Sequence, residues 1–311
     1  MDICREKKFI DLKNKVTFHQ KQGDIKSIID SKRNIWIKNK ELPSGTTGKV
    51  FIFKSQNQEN SDLVVKYFYS DDRKDEDAEH EVEMIDILNA SRCPNFIKIG
   101  HLNFDNQKIV IMEKLDGDLV DFDFTFFSKP LKLFSDLIEF LSSASLCALR
   151  EEKLYLDLKL ENIGFKICMD RIKFTFLDFG SFFDLDEENI ISTYNINNKK
   201  FSEGYFSNEL IFVYGFIMTL LNVRLMIKSS KLTEKFIEYH ISDIGNERKY
   251  KSVNNLLSKS NYERIKKRFY SYLDTHERFI TFLFSQLELL TKEEPDVLQF
   301  LREVRSRNHY N

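Results

Sequence analysis

The chain has 311 residues, 47 basic against 49 acidic side chains, and a formal charge of −2. That length suits one large domain or two smaller units with ample core, and the near-even charge argues against a protein built mainly to grip nucleic acid or anionic lipid. A content of 42% hydrophobic and 31% charged residues is too apolar for disorder and too charged for a membrane bundle. Phenylalanine is over-represented, at 29 residues beside 10 glycines and 4 prolines. Together with the Lys, Asn and Ile richness, this is consistent with an AT-biased genome. Cys4, Cys93, Cys147 and Cys168 are scattered, with no CxxC pair. Reduced thiols are expected, with neither a disulfide framework nor a zinc site. No apolar stretch follows the charged residues 1–8, so no signal peptide is expected.

In chain order, residues 1–32 are polar and read as an N-terminal extension, helical over Asp24 to Lys32. Three strands follow, at Ile35–Ile37, Val50–Phe53 and Leu63–Phe68, separated by the turn residues 43–48 and the polar stretch 55–62. A helix over Asp72 to Leu88 opens with acidic residues and carries Val82, Ile85 and Leu88 as its apolar stripe. Strands are expected at Phe96–Phe104 and Lys108–Glu113. Leu131, Phe134, Leu137, Ile138, Leu141, Ser145 and Leu149 then trace one face of a helix from Pro130 to Glu151. Short strands at 153–155, 163–167 and 173–177 precede a helical remainder, at 210–228, 231–240, 261–290 and 295–306, with Pro295 in a first turn. The apolar run Leu210–Val223 is shorter than the roughly 20 residues that span a bilayer and reads as a buried helix.

Three segments fit the handling of a phosphoryl group. Asp157-Leu-Lys159-Leu-Glu-Asn162 puts a carboxylate, an ammonium and a carboxamide on one loop after a strand. Asp178-Phe-Gly180 puts an acid at a strand end before a flexible glycine. Leu42-Pro-Ser-Gly45-Thr-Thr-Gly48-Lys-Val50 is a strand-turn-strand, with Lys66 on the next strand.

In these residues, and over about 35–220, the chain resembles the eukaryotic-type protein kinases. Asp157, Lys159 and Asn162 keep the family's catalytic-loop spacing, Asp178–Gly180 is an intact DFG, and Lys66 matches the strand lysine that holds the α and β phosphates. Glu81 falls where the family places the helix glutamate that pairs with that lysine. Cys93 to Lys98 looks like the approach to the fourth strand, Ile111 to Leu115 like the hinge with Met112 as gatekeeper, and Tyr205 to Glu209 like a degraded APE motif. The resemblance implies an α+β, bilobal protein-kinase-like fold: an extension 1–32, a small β-rich lobe 33–113 with one key helix, a hinge 114–117 and a larger helical lobe 118–311. It implies ATP and Mg2+ as cofactors, with Asp178 and Asn162 holding magnesium. Asp157 would take the acceptor's proton and Lys159 would neutralise the transferring group. Leu42, Gly45, Gly48, Val50, Val64, Lys66, Met112, Glu113 and Leu115 would line the nucleotide site.

The pattern has departures. Pro43 replaces the first glycine of the phosphate loop, and Tyr155 and Leu156 replace the usual His-Arg. Without that Arg, constitutive activity is the simpler expectation. Val64 and Gly164 replace the Ala and Leu that sandwich adenine, and the apolar helix follows Glu209 directly, with no bracing aspartate.

Singly, each signal has a plain structural reading: a hairpin turn for Gly45 and Gly48, an edge lysine for Lys66, a solvated acidic face for Glu79, Glu81 and Glu83. Arg264 to Arg268 reads as a solvated face and the six histidines as structural. Jointly and in order, the segments favour transfer of phosphate from Mg-ATP to serine and threonine hydroxyls of proteins. Retained Lys159 is the serine/threonine-type choice. The alternative is a pseudokinase scaffold. A small-molecule phosphotransferase of the aminoglycoside or choline type ranks last, since those usually lack Lys159 and a DFG. The composition suggests a large DNA virus or an intracellular microbe, with the host cytoplasm as location and host proteins among the substrates. No nucleic-acid partner and no membrane span are expected.

Overall fold

The computed structural model describes residues 8–21, 24–42, 48–69, 72–91, 96–104, 107–168, 171–185, 207–229, 259–272, 277–290 and 292–308. They fall into two compact units, Met1–Asp116 with Gly164–Gly180, and Gly117–Ile163 with Ser181–Asn311. Gly45, Pro43, Tyr205 and the helix expected at 231–240 lie outside the described residues.

The first unit is built on a seven-stranded sheet. Its strands are β1 (Thr17–Lys21), β2 (Asp24–Ile29), β3 (Ile35–Glu41), β4 (Gly48–Ser55), β5 (Leu63–Phe68), β6 (Ile99–Phe104) and β7 (Gln107–Glu113). They run in the order β1-β2-β3-β4-β5-β7-β6, and each neighbouring pair is antiparallel. Helix α1 (Asp72–Ala90) connects β5 to β6. This corrects the expected fold. A small β-rich lobe does not hold an all-antiparallel curled sheet of this size, so the bilobal protein-kinase-like fold is not the one the chain builds.

The difference begins at the N-terminus. Residues read as a helix over 24–32 form β2 and a turn. Ile25, Ile28 and Ile29 imitate a helical i, i+3, i+4 stripe. Their β-branched side chains suit a pleated surface better, and the backbone finds partners in β1 on one side and β3 on the other. An irregularity between His19 and Gln20 shifts the β1 register, which blurs the period-two pattern. Asp30 closes the turn: its carboxylate accepts from the N–H groups of Lys32 and Asn34, both at 2.9 Å, and Arg33 takes a left-handed φ of 63°.

One face of the sheet carries the core of this unit. Ile25, Ile28, Trp36, Phe51, Phe53, Leu63, Val65, Ile109 and Ile111 pack there with Ile10 from the preceding segment, and the Trp36 indole N–H donates to the Ser61 carbonyl at 2.8 Å. The paired strands β10 (Ile163–Cys168) and β11 (Arg171–Phe176) belong to the same unit, apart from the first residue of β10.

The second unit is helical. It contains α2 (Pro130–Arg150), α3 (Asn208–Lys228), α4 (Lys259–Tyr272), α5 (Arg278–Leu289) and α6 (Val297–Ser306). Of its short strands β8 (Gly117–Asp118), β9 (Lys153–Tyr155) and β12 (Phe182–Asp184), the last two pair antiparallel. The single helix expected over 261–290 is two, α4 and α5. Pro295 lies just outside α6, whose N-cap is Asp296, accepting from the Gln299 N–H at 2.8 Å. Helix α3 starts at a Ser207 cap and is buried on all sides. Among the described residues it is the one helix long and apolar enough to cross a membrane by length and composition, and 89% of that stretch is buried within the protein. Neither Cys147 nor Cys168 is a free thiol, which corrects the expectation of reduced cysteines.

Burial on the sheet makes a direct test of β2. Ile28 is fully buried, whereas Ile37 on β3 is 44% exposed. Ile28→Ala should lower stability by about 2–5 kcal/mol and Ile37→Ala by less than about 1 kcal/mol, read by urea unfolding. Equal losses would contradict the placement of β2 against the core.

Candidate active site

Directly opposed residues of an antiparallel pair share a face. Val50 lies opposite Lys66, and Val64 opposite Met112, so these four nucleotide-site candidates occupy the sheet face opposite the apolar core. Helix α1 supplies what this face lacks. Ala78, Glu81, Val82, Ile85 and Leu88 are all buried, one helical stripe in which Glu81 is the only charge, while Glu79 and Glu83 point to solvent. A carboxylate so placed needs a cation. Lys66 Nζ lies 2.5 Å from Glu81 Oε2, and it also sits 4.8 Å from the centre of the Phe68 ring.

Three contacts tie α1 to the sheet beside this pair. Lys108 on β7 meets Glu79 at 3.0 Å, His101 on β6 meets Asp86 at 3.0 Å, and Asn89 donates to the Ile99 carbonyl at 3.1 Å. Asp178, just past β11, is the third charge near Glu81. An added Cβ on Gly180 would lie 3.5 Å from Glu81 Oε2 and 3.6 Å from Asp178 Oδ1. Buried Phe179 holds the strand end, its ring 5.7 Å from that of Phe96. Burial pushes the Glu81 carboxyl above its ordinary value and Asp178 adds to this, while Lys66 opposes both.

The edges of the nucleotide candidates are also defined. Leu42 follows β3, and its N–H donates to the Val50 carbonyl at 2.8 Å. Gly48 leaves no room for a side chain, because a Cβ there would lie 2.3 Å from the Tyr67 carbonyl oxygen. Glu113 is more committed than a bare hinge residue. Its N–H donates to the Lys98 carbonyl at 2.9 Å, so it cannot donate to a base as well, and its carboxylate takes Lys166 and the Ser61 hydroxyl. Gly164 stands where the resemblance led us to expect a leucine. A Cβ there would lie 2.3 Å from Leu115 Cδ1 and 2.9 Å from Leu177 Cδ2, so two leucines from elsewhere in the same unit fill that volume. Ser61, Lys166, Leu115 as a filler and Leu177 carried no motif; Gly164 was the single hint.

A separate cluster lies in the second unit, on the loop between β9 and β10. Asp157 is buried, and its Oδ2 takes both the Asn162 amide at 2.8 Å and Lys159 Nζ at 2.7 Å. The Asn162 amide also donates to the Asp157 carbonyl at 3.0 Å, closing the loop on itself and leaving Oδ1 as the amide's acceptor. Tyr155 packs its ring at 4.8 Å from that of Phe182, and the Leu156 N–H donates to the Ser181 carbonyl at 2.9 Å, so these two residues anchor the loop by packing and pairing. Among the described residues no group of three or more His, Cys, Asp or Glu side chains forms a self-sufficient metal site. Magnesium does not need one, since it is commonly held by one or two protein oxygens together with substrate phosphates and water. Asp178 and Asn162 offer hard oxygens of that kind.

No family model and no curated protein gives a match to the chain. Function is therefore read from the chemistry of these two clusters.

The Glu81 shift has a definite sign. A carboxyl raised in the folded state contributes stability that is fully present below about pH 4.5, its ordinary value, and lost as pH rises through the folded value. Glu81→Gln lacks that titration. The stability of wild type minus that of the variant, from urea unfolding at a series of pH values, should fall as pH rises above 4.5. A difference that grows with pH would reverse the assignment.

Proposed function

We propose that the chain transfers the γ-phosphoryl group of Mg-ATP to serine and threonine hydroxyls of protein substrates. The observation that carries this reading is the buried Asp157 carboxylate gripped by Asn162 and Lys159 on one loop. A core does not call for a charge held in that way, whereas a hydroxyl acceptor needs a carboxylate to orient it and take its proton.

In the proposed reaction the acceptor oxygen forms a bond to the γ-phosphorus as the bond to the bridging β–γ oxygen breaks. The hydroxyl proton goes to Asp157 and ADP leaves. Lys159 offsets charge on the transferring group, and Lys66, held in place by Glu81, offsets charge on the α and β phosphates. Asp178 in the first unit and Asn162 in the second each carry an oxygen suited to magnesium, which when bound would supply positive charge to offset that of the phosphates. A fold unlike the expected one does not weigh against this, because chemistry resides in sites that different folds carry.

The test is incorporation of labelled phosphate from Mg-ATP into a generic acceptor protein and into the chain itself. Wild type should label serine and threonine. Asp157→Ala and Asp178→Ala should each reduce transfer by at least about 10³-fold, and the double variant should be little worse than either, as expected for residues of one catalytic unit. Additive losses would separate the two clusters into different tasks. Folded wild type that transfers nothing would favour the scaffold reading, and nucleotide-induced thermal shift would then tell whether it still binds ATP.

A further inference from the structure

Helix α3 is apolar almost throughout, and its interior polar residues need a reason. Arg224 has one, donating through Nε to Glu277 at 3.0 Å. Thr219 is fully buried, and its hydroxyl donates to the backbone carbonyl of Leu158 at 3.3 Å. Leu158 is the residue between Asp157 and Lys159. One turn earlier on the same helix stands Gly215, an unfavourable residue in a helix interior. A Cβ on Gly215 would lie 3.4 Å from Leu158 Cβ and 3.7 Å from its carbonyl oxygen, so the loop rests directly against the helix backbone. Gly215 and Thr219 are spaced i, i+4 and share a face.

We propose that Gly215 and Thr219 form a seat for Leu158 that sets the geometry of the Asp157–Lys159 loop, which makes Thr219 a positioning residue for phosphoryl transfer. This rests on the reading that Asp157 and Lys159 perform the chemistry. The Leu158 carbonyl belongs to the peptide that leads into Lys159. Holding it limits rotation of that peptide, and with it the angle at which Lys159 and Asp157 meet. The glycine admits the loop to the helix surface and the threonine anchors it there. All of these residues belong to one compact unit, so the seat is part of a single packed body.

Thr219→Val keeps the shape and removes the hydroxyl; Thr219→Ser restores a donor. Steady-state transfer from Mg-ATP should show kcat lowered by about tenfold or more in Thr219→Val, with KM for ATP within about twofold of wild type, and kcat largely recovered in Thr219→Ser. Hydrogen exchange of the amides of residues 157–162, followed by mass spectrometry in the same three proteins, gives a readout independent of activity. Protection should fall in Thr219→Val and persist in Thr219→Ser. Wild-type kcat in Thr219→Val, equal impairment in both variants, or unchanged exchange would overturn the seat. A wild type that transfers no phosphate would instead overturn the functional reading, and the exchange comparison would still judge the seat.

Discussion

A carboxylate on the apolar stripe of α1 has to find a cation, and that requirement joins the helix to the middle of the seven-stranded sheet. Glu81 shares its face with Ala78, Val82, Ile85 and Leu88, so packing the helix buries the charge with them. Lys66 answers it from β5, flanked by β4 and β7. Removing one partner of such a buried pair commonly costs about 3–5 kcal/mol, whereas replacing both with apolar residues of similar size can be neutral or stabilising. A chain selected only for stability has no need of the pair. Its presence, with Asp178 close by, sets this face of the sheet apart from the all-apolar one opposite.

The two faces divide the labour of the first unit. Leu63 and Val65 point into the cluster built around Trp36, and Val64 and Lys66 point the other way, simply because side chains alternate along β5. A shift of one residue in the β4–β5 register would exchange the two sets. The register therefore matters to the candidate chemistry as much as to the core. The second unit treats its charges differently. There the carboxylate, amide and ammonium come from within six residues of one loop and satisfy one another, so local sequence defines the cluster and the surrounding helices hold it.

That contrast explains what was legible in the sequence. Asp157, Lys159 and Asn162 could be read as a group because their relation is one of spacing. Strands β3 to β7 and helices α1 and α2 could be read because apolar periodicity matched their burial, and α3 because its apolar run is nearly unbroken. The N-terminal hairpin was not legible: a register irregularity at His19 and three isoleucines at helix-like spacing hid two strands, and with them the true size of the sheet. The choice of Glu81 over Glu79 and Glu83 came from the register of the resemblance, and the helix phase and Lys66 on another strand give its physical reason. The filling of the Gly164 space by Leu115 and Leu177, and the contact of Thr219 with Leu158, are relations between distant residues that no local pattern encodes.

Helix α3 also bears on how the chain reaches its folded state. Its covering comes from α2, made before it, and from α5 and α6, made after it. At synthesis rates of about 5–20 residues per second, a largely apolar helix waits seconds before its last neighbours exist. During that interval it offers a sticky surface to chaperones, to other nascent chains, and by its length to the machinery that inserts helices into bilayers. The C-terminal helices thus act as a built-in shield, and shortening the chain from that end would threaten solubility before it touched either charged cluster.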